Sequence, residues 1–334
     1  MRYRTFGGTG LRVSELFLGA MTFGEQGGVG APPQECRRIL DAYASAGGNV
    51  IDTASNYRGG ASEEIVGDLL AGRRDRFVLG TKYTVTRDRD DPNAAGNHRK
   101  NLRMSLETSL RRLRTDYIDI YWVHMWDRST PAEETMGALD DQVRAGRVLY
   151  VGISDAPAWV VSRANTLAQW RGWAPLAGLQ VPYSLVQRDA ERELLPMAEA
   201  FGMTVAAWSP LAGGILSGKY TRPGGPGHGS RIDPASLTQR ERRIAEAVQQ
   251  VAGDLGATPS QVALAWTMTR SPAVHPIVGA RRLEQLEDNL GSLEVELTVE
   301  MVRGLESAAE FDPGFPSAFI SETSGWVFGA AQVD

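Results

Sequence analysis

Eight times along this chain a short run rich in aliphatic and aromatic residues gives way to a longer amphipathic stretch. That alternation limits the possible folds more than any other feature. The β-like runs span 15–21, 49–54, 76–83, 117–125, 147–154, 176–183, 203–210 and 273–280. Several are almost unbroken apolar segments, the pattern of parallel strands covered on both faces. Helical patterns lie between them, for instance over 32–47, 62–70 and 98–113. In the last of these Leu102, Leu106, Leu110 and Leu113 share one face, and the arginines are expected to point elsewhere. Ser62 followed by Glu63 and Glu64 predicts a helix start, while Gly47 and Gly202 predict helix ends. Eight strand–helix units predict a parallel sheet closed into a (β/α)8 TIM barrel. No linker or compositional shift interrupts the sequence, so a single domain over 1–334 is expected. Residues 2–14 read as an N-terminal β-hairpin turning around Gly7–Gly10, and the tail from about Phe311 as an irregular loop.

Composition removes several classes of function. With 42% hydrophobic and 22% charged residues the chain is an ordinary globular one, and its net charge of −5 offers nothing to nucleic acid or an anionic membrane. The single cysteine, Cys36, excludes an internal disulfide. No apolar run reaches membrane-spanning length, and "MRYRTFGGTG" lacks the apolar segment of a secretory signal. A cytoplasmic protein, monomer or homo-oligomer, is expected.

A barrel of this kind carries its chemistry at the C-terminal ends of its strands. The second run ends at Asp52 with Tyr57 just beyond it, the third ends with Lys82, and the fourth ends near His124. Singly, each has a plain structural explanation: a turn cap, a solvated strand end, a surface aromatic, a core histidine. Together they make a proton-donating set. A free phenol has a pKa of about 10, too high for ready proton release near neutrality. An ammonium about 4 Å away is worth roughly 4 kcal/mol at an effective dielectric near 20, while desolvation of the phenolate works against it. The expectation is a tyrosine brought down to about 7 to 8, with Asp52 holding Lys82 charged and His124 orienting a carbonyl.

These residues sit in motifs that identify the chain as similar to the aldo-keto reductases. "DTASNY", "GTK" and "IYWVHMWD" match the family's Asp, Tyr, Lys and His motifs in order and spacing. Further matches run from "YRTFGGTGLRVSELFLGAMTFG" through "VGIS", "LQVPYSL" and "WSPLAGGILSGKY" to "PIVGARRLEQLEDNL". The pattern most resembles the branch with bacterial reductases and voltage-gated potassium channel β-subunits. The resemblance implies NADPH-dependent reduction of an aldehyde or ketone, with Tyr57 as general acid and Asp52, Lys82 and His124 completing a tetrad. No metal is implied. It also places Ser154 and Gln180 on the nicotinamide carboxamide, Trp208 against the nicotinamide ring, and Met21, Ser209 and Leu211 around the cofactor. Asp155 stands where the family often has Asn or Arg, and a carboxylate there can still accept from a carboxamide NH2.

At the other end of the cofactor, "GGILSGKY" spaces Gly213, Gly218 and Lys219 like a phosphate loop. However, Tyr220 follows and then a Gly/Pro-rich stretch that cannot be helical, so a triphosphatase is excluded. No G-x-G-x-x-G supports a Rossmann site. The segment reads instead as a belt over a pyrophosphate, flanked by Lys219 and Arg231. A helix opening after the eighth run offers backbone N–H groups to an anion. By resemblance Gly279, Arg281 and Gln285 meet the 2′-phosphate end of NADPH, and Asp288 and Asn289 hold the adenine, while Arg282 reads as a solvated helix face.

Met21, Phe23, Trp126, Phe315 and Phe319 are candidate walls for a hydrophobic or sugar-like carbonyl substrate, and the polar loop 84–97 reads as mobile. Two other functions are carried alongside. A cofactor-binding regulatory subunit shares the pattern, although such subunits can have asparagine in place of His124. A Schiff-base enzyme would need Lys82 desolvated and apart from Asp52.

Overall fold

The computed structural model describes residues 1–26, 28, 30–221 and 232–329. Strands β1 (Tyr3–Thr5) and β2 (Arg12–Ser14) pair antiparallel as the expected hairpin. Eight parallel strands follow: β3 (Phe17–Gly19), β4 (Val50–Asp52), β5 (Val78–Tyr83), β6 (Ile118–Val123), β7 (Val148–Ser154), β8 (Leu176–Pro182), β9 (Thr204–Trp208) and β10 (Val274–Gly279). They close in sequence order, with β10 pairing back onto β3.

Helices α1 (Pro33–Ser45), α2 (Ala61–Leu70), α3 (Arg99–Leu113), α4 (Ala132–Arg144), α5 (Ala158–Arg171) and α6 (Leu194–Ala200) each follow one strand from β3 to β8. Two helices, α7 (Gln239–Leu255) and α8 (Pro259–Thr269), lie between β9 and β10, and α9 (Leu283–Leu290) and α10 (Val299–Ala309) come after it. Both α7 and α8 open on complete capping boxes, Thr238 with Glu241 and Thr258 with Gln261. The helix over 62–70 begins one residue early, and Ser62 does not cap it. Its hydroxyl is buried instead, meeting Thr53 and the Ala20 carbonyl. The tail beyond Phe311 is not wholly irregular, because it forms short helices α11 (Ser317–Glu322) and α12 (Ser324–Phe328).

Alternation along the strands sorts side chains between two cores. Ile51, Leu79, Tyr121 and Val123 face the helices, whereas Val50, Val78, Ile120 and Trp122 pack inside the barrel with Phe6 from the hairpin. Trp122 lies across the interior, and it fits because its neighbours on β5, β7 and β8 are glycines. A Cβ at Gly178 would stand 2.7 Å from Trp122 and 2.6 Å from Phe6, and one at Gly152 would fall onto the indole. This indole, fully buried, floors the barrel. Two residues further along each strand the next inward positions open at the mouth.

Candidate active site

Those next inward positions are Asp52 on β4, Lys82 on β5, His124 just past β6, Ser154 on β7, Gln180 on β8 and Trp208 on β9. The period of two thus brings six polar or aromatic groups above Trp122. Lys82 is completely buried, and its ammonium makes three contacts: Asp52 Oδ2 at 2.5 Å, the Thr53 carbonyl at 2.8 Å and Tyr57 Oη at 3.2 Å. The other Asp52 oxygen accepts from Gln180 Nε2 at 3.0 Å. Tyr57 and His124 stand edge to face, their ring centres 5.9 Å apart. The four groups singled out at the strand ends therefore converge.

Tyr57 is carried on a turn that few sequences tolerate. Arg58, Gly59 and Gly60 all have positive φ, at 54°, 66° and 102°. The turn is braced from behind by a residue that sequence reasoning overlooked. Arg112 on α3 does not point away with its neighbouring arginines. Its guanidinium donates to the Ser55 carbonyl (2.9 Å) and to Glu63 (3.2 Å), and it lies so close beneath Gly60 that a side chain there would collide with it. Glu63 is fully buried and also accepts from Thr81, the residue before Lys82. Only the place of Arg112 next to the leucine stripe, on the barrel-facing side of α3, could have signalled this.

The charges have definite directions. Burial alone would lower Lys82, but Asp52 and Tyr57 outweigh it and raise the ammonium above its ordinary value. Burial raises the Tyr57 phenol, and Lys82 opposes this without overcoming it. The expected descent to about 7 to 8 is therefore reversed, because the phenolate would lose more hydration than one adjacent cation returns. His124 is pushed down to about 3 by burial and by Lys82, so it is neutral across the physiological range. Its Nδ1 is buried with no hydrogen-bond partner among the described residues.

The expected cofactor residues fall into three groups. Around the mouth, Ser154 and Gln180 are buried, Met21 is exposed, and Asp155 sits in left-handed backbone (φ 46°) with Trp208 Nε1 donating to its carboxylate at 3.2 Å. Beyond β9, Ser209, Ala212, Gly213, Gly214 and Gly218 all have positive φ, so the segment through Leu211 winds tightly ahead of Lys219. Arg231 lies outside the described residues. At the far end, Gln285 takes the Arg281 N–H (2.9 Å) and Glu35 takes the Leu283 N–H (2.7 Å). Glu35 thus takes the first N–H of α9, and the Arg281 guanidinium stands just ahead of that helix as a charged group for an anion. Asp288 is engaged by Thr258 (2.7 Å) and Gln261 (3.2 Å), and Asn289 is buried. Gly279 is open on its exposed side.

One expectation about the walls is corrected. Phe23 is completely buried under the β3 loop and lines no opening. The loop 84–97 is tied down at both ends: Thr84 Oγ1 bonds Asn97 (2.6 Å), and Asn97 bonds Asp127 (2.7 Å) and the Met125 carbonyl (3.0 Å). Trp126 meets Trp159 edge to face at 5.4 Å on the rim. Phe315 and Phe319 contact each other on the exposed tail, whose base is held by Arg192 donating to the Asp312 carbonyl.

Residues 15–310 match the aldo/keto reductase family. A norsolorinic acid reductase of Aspergillus flavus is 40% identical over 326 residues, covering 94% of this chain and 82% of its own length. An NADP(+) aryl-alcohol dehydrogenase of Phanerodontia chrysosporium is 37% identical over 340 residues, 96% of this chain and 88% of that one. A putative aryl-alcohol dehydrogenase of Saccharomyces cerevisiae is likewise 37% identical, over 94% of this chain and 88% of its own. The chain belongs to the aldo/keto reductase family, a family of NADPH-using oxidoreductases. The relatives carry the names of enzymes, which does not favour a regulatory subunit. Among the described residues no helix is long and apolar enough to cross a membrane.

Proposed function

We propose that this protein is an NADPH-dependent reductase that converts an aldehyde or ketone, preferably an aromatic one, to the alcohol. The carrying observation is the Lys82 ammonium, 3.2 Å from the Tyr57 hydroxyl and 2.5 Å from Asp52. NADPH, when bound, would supply the hydride, with its electron pair, that the carbonyl carbon requires. Tyr57 gives its proton to the carbonyl oxygen as that oxygen gains charge, and the resulting phenolate is held by Lys82 until solvent reprotonates it. A phenol of raised pKa still serves here, because the alkoxide forming on the substrate is far more basic than a phenolate. Lys82 then acts on the charge that develops during the step. His124, neutral, orients the carbonyl oxygen without competing as an acid.

The residues present fit the cofactor. Gln180 spends its amide N–H on Asp52, which leaves its carbonyl oxygen, with the Ser154 hydroxyl, to receive a carboxamide. Arg281 offers a charged fork suited to a 2′-phosphate. Lys219 and the wound segment before it suit a pyrophosphate. An ionised Lys82 bonded to Asp52 speaks against a Schiff-base amine.

The aromatic preference is supported by the Trp126–Trp159 pair on the rim and by the relatives named for aryl alcohols. We further propose that residues 1–334 act as one barrel domain in the cytoplasm, as monomer or homo-oligomer, with no nucleic-acid or membrane partner, as the charge of −5 favours. NADPH oxidation across matched aryl and alkyl aldehydes tests the function. The expected result is turnover with higher kcat/KM for the aryl set; absence of turnover with every carbonyl compound would refute the reading.

A further inference from the structure

We propose that Asp155 is a positioning residue: its carboxylate clamps the Trp208 indole into the wall against which a nicotinamide ring would rest. The role of that wall depends on the reductase reading above, but the clamp itself does not. Trp208 ends β9 and Asp155 follows the last residue of β7, so the 3.2 Å bond from Nε1 to Oδ1 spans the end of β8. That intervening strand end is stitched to both sides. The Asp155 N–H donates to the Gln180 carbonyl (3.3 Å), and the Tyr183 N–H donates to the Trp208 carbonyl (3.2 Å).

Both ends of the clamp also sit at unusual backbone. Asp155 has φ 46°, and Ser209, directly after Trp208, has φ 53°. Non-glycine residues adopt this region at a cost and persist there where their surroundings over-determine them. Aspartate is among the residue types that tolerate the conformation best. An indole at an open mouth has several rotamers, and a charged acceptor on its N–H selects one. Ser154 and Lys82 also act on this carboxylate, and its charge is felt by Tyr57. Loss of water around the carboxyl raises it above its usual range, and the Trp208 N–H leads the groups that pull it back.

The test uses three variants. Asp155→Asn keeps an acceptor without charge, Asp155→Ala removes both, and Trp208→Phe keeps a ring without the N–H. In ligand-free protein, the indole N–H resonance of Trp208, assigned by its loss in Trp208→Phe, is followed by NMR against pH. It should move as Asp155 titrates, lose that dependence in Asp155→Asn, and be displaced in Asp155→Ala. NADPH binding, read by fluorescence quenching, should weaken about 3- to 10-fold in Asp155→Ala but not further when the same change is made in Trp208→Phe. A pH-independent resonance that is unmoved in Asp155→Ala would overturn the clamp. Equal losses in both backgrounds would show Asp155 acting on the cofactor directly, and would overturn its positioning role. Wild-type protein that fails to bind NADPH while its indole still titrates would refute the reductase reading and leave the clamp standing.

Discussion

Lys82→Met removes the one cation among the described residues that touches the Tyr57 hydroxyl, and its effect can be worked from the structure. At the observed 3.2 Å, and with an effective dielectric near 20, the ammonium stabilises a full phenolate by about 5 kcal/mol. Proton transfer is only partly advanced in the transition state, so the variant should lose about 10²- to 10⁴-fold in kcat. The same change strands Asp52 without its charge partner in a buried site, at a cost of about 3–5 kcal/mol of stability. Activity and folding must therefore be separated. The double variant Asp52→Asn/Lys82→Met removes both charges, and it should recover much of the melting temperature while turnover stays low. Steady-state kinetics with ordinary and deuterated NADPH would confirm that chemistry limits the rate. A folded Lys82→Met enzyme with kcat within about 3-fold of wild type, against the range expected for an acid catalyst, would refute the reasoning.

Three other perturbations separate parts of the account. Arg281→Ala should raise the KM or Kd for NADPH by about 10- to 100-fold and leave NADH nearly unaffected, because only NADPH carries the 2′-phosphate this guanidinium would bind; parallel titrations with the two cofactors check it. Gly152→Ala pushes a methyl group onto the Trp122 indole, and should cost about 1–3 kcal/mol in chemical denaturation. His124 and His275 are held down to about 3 and about 4 by burial, whereas both take up protons near pH 6.5 when unfolded. The unfolded chain then binds more protons between those limits, so stability falls as pH drops from about 6.5 toward 4. Melting temperature against pH should show a shallower fall in His275→Gln.

The barrel was legible because a strand–helix unit recurs eight times, and the tetrad because its members end or closely follow three successive β-like runs. Val50 and Asp52, Val78 and Lys82, or Trp122 and His124 share a parity, so an apolar inward position deep in the barrel predicts a polar inward one at its mouth. The brace behind Tyr57 was not legible. Arg112 belongs to a helix whose pattern reports only which face is apolar, and nothing local says that one arginine reaches across to the Ser55 carbonyl. The capping of α9 by Glu35 joins residues 248 apart and leaves no local mark. The direction of the Tyr57 shift escaped for a physical reason as well, since desolvation depends on atoms contributed by every surrounding strand.

The central claim is that the Tyr57 hydroxyl delivers the proton that completes carbonyl reduction. Turnover and NADPH affinity of Tyr57→Phe, measured side by side with wild type, test it most directly. The account predicts a loss of at least about 10²-fold in kcat, in the range for a missing general acid, with cofactor affinity changed little. Near-normal turnover in that variant would contradict it.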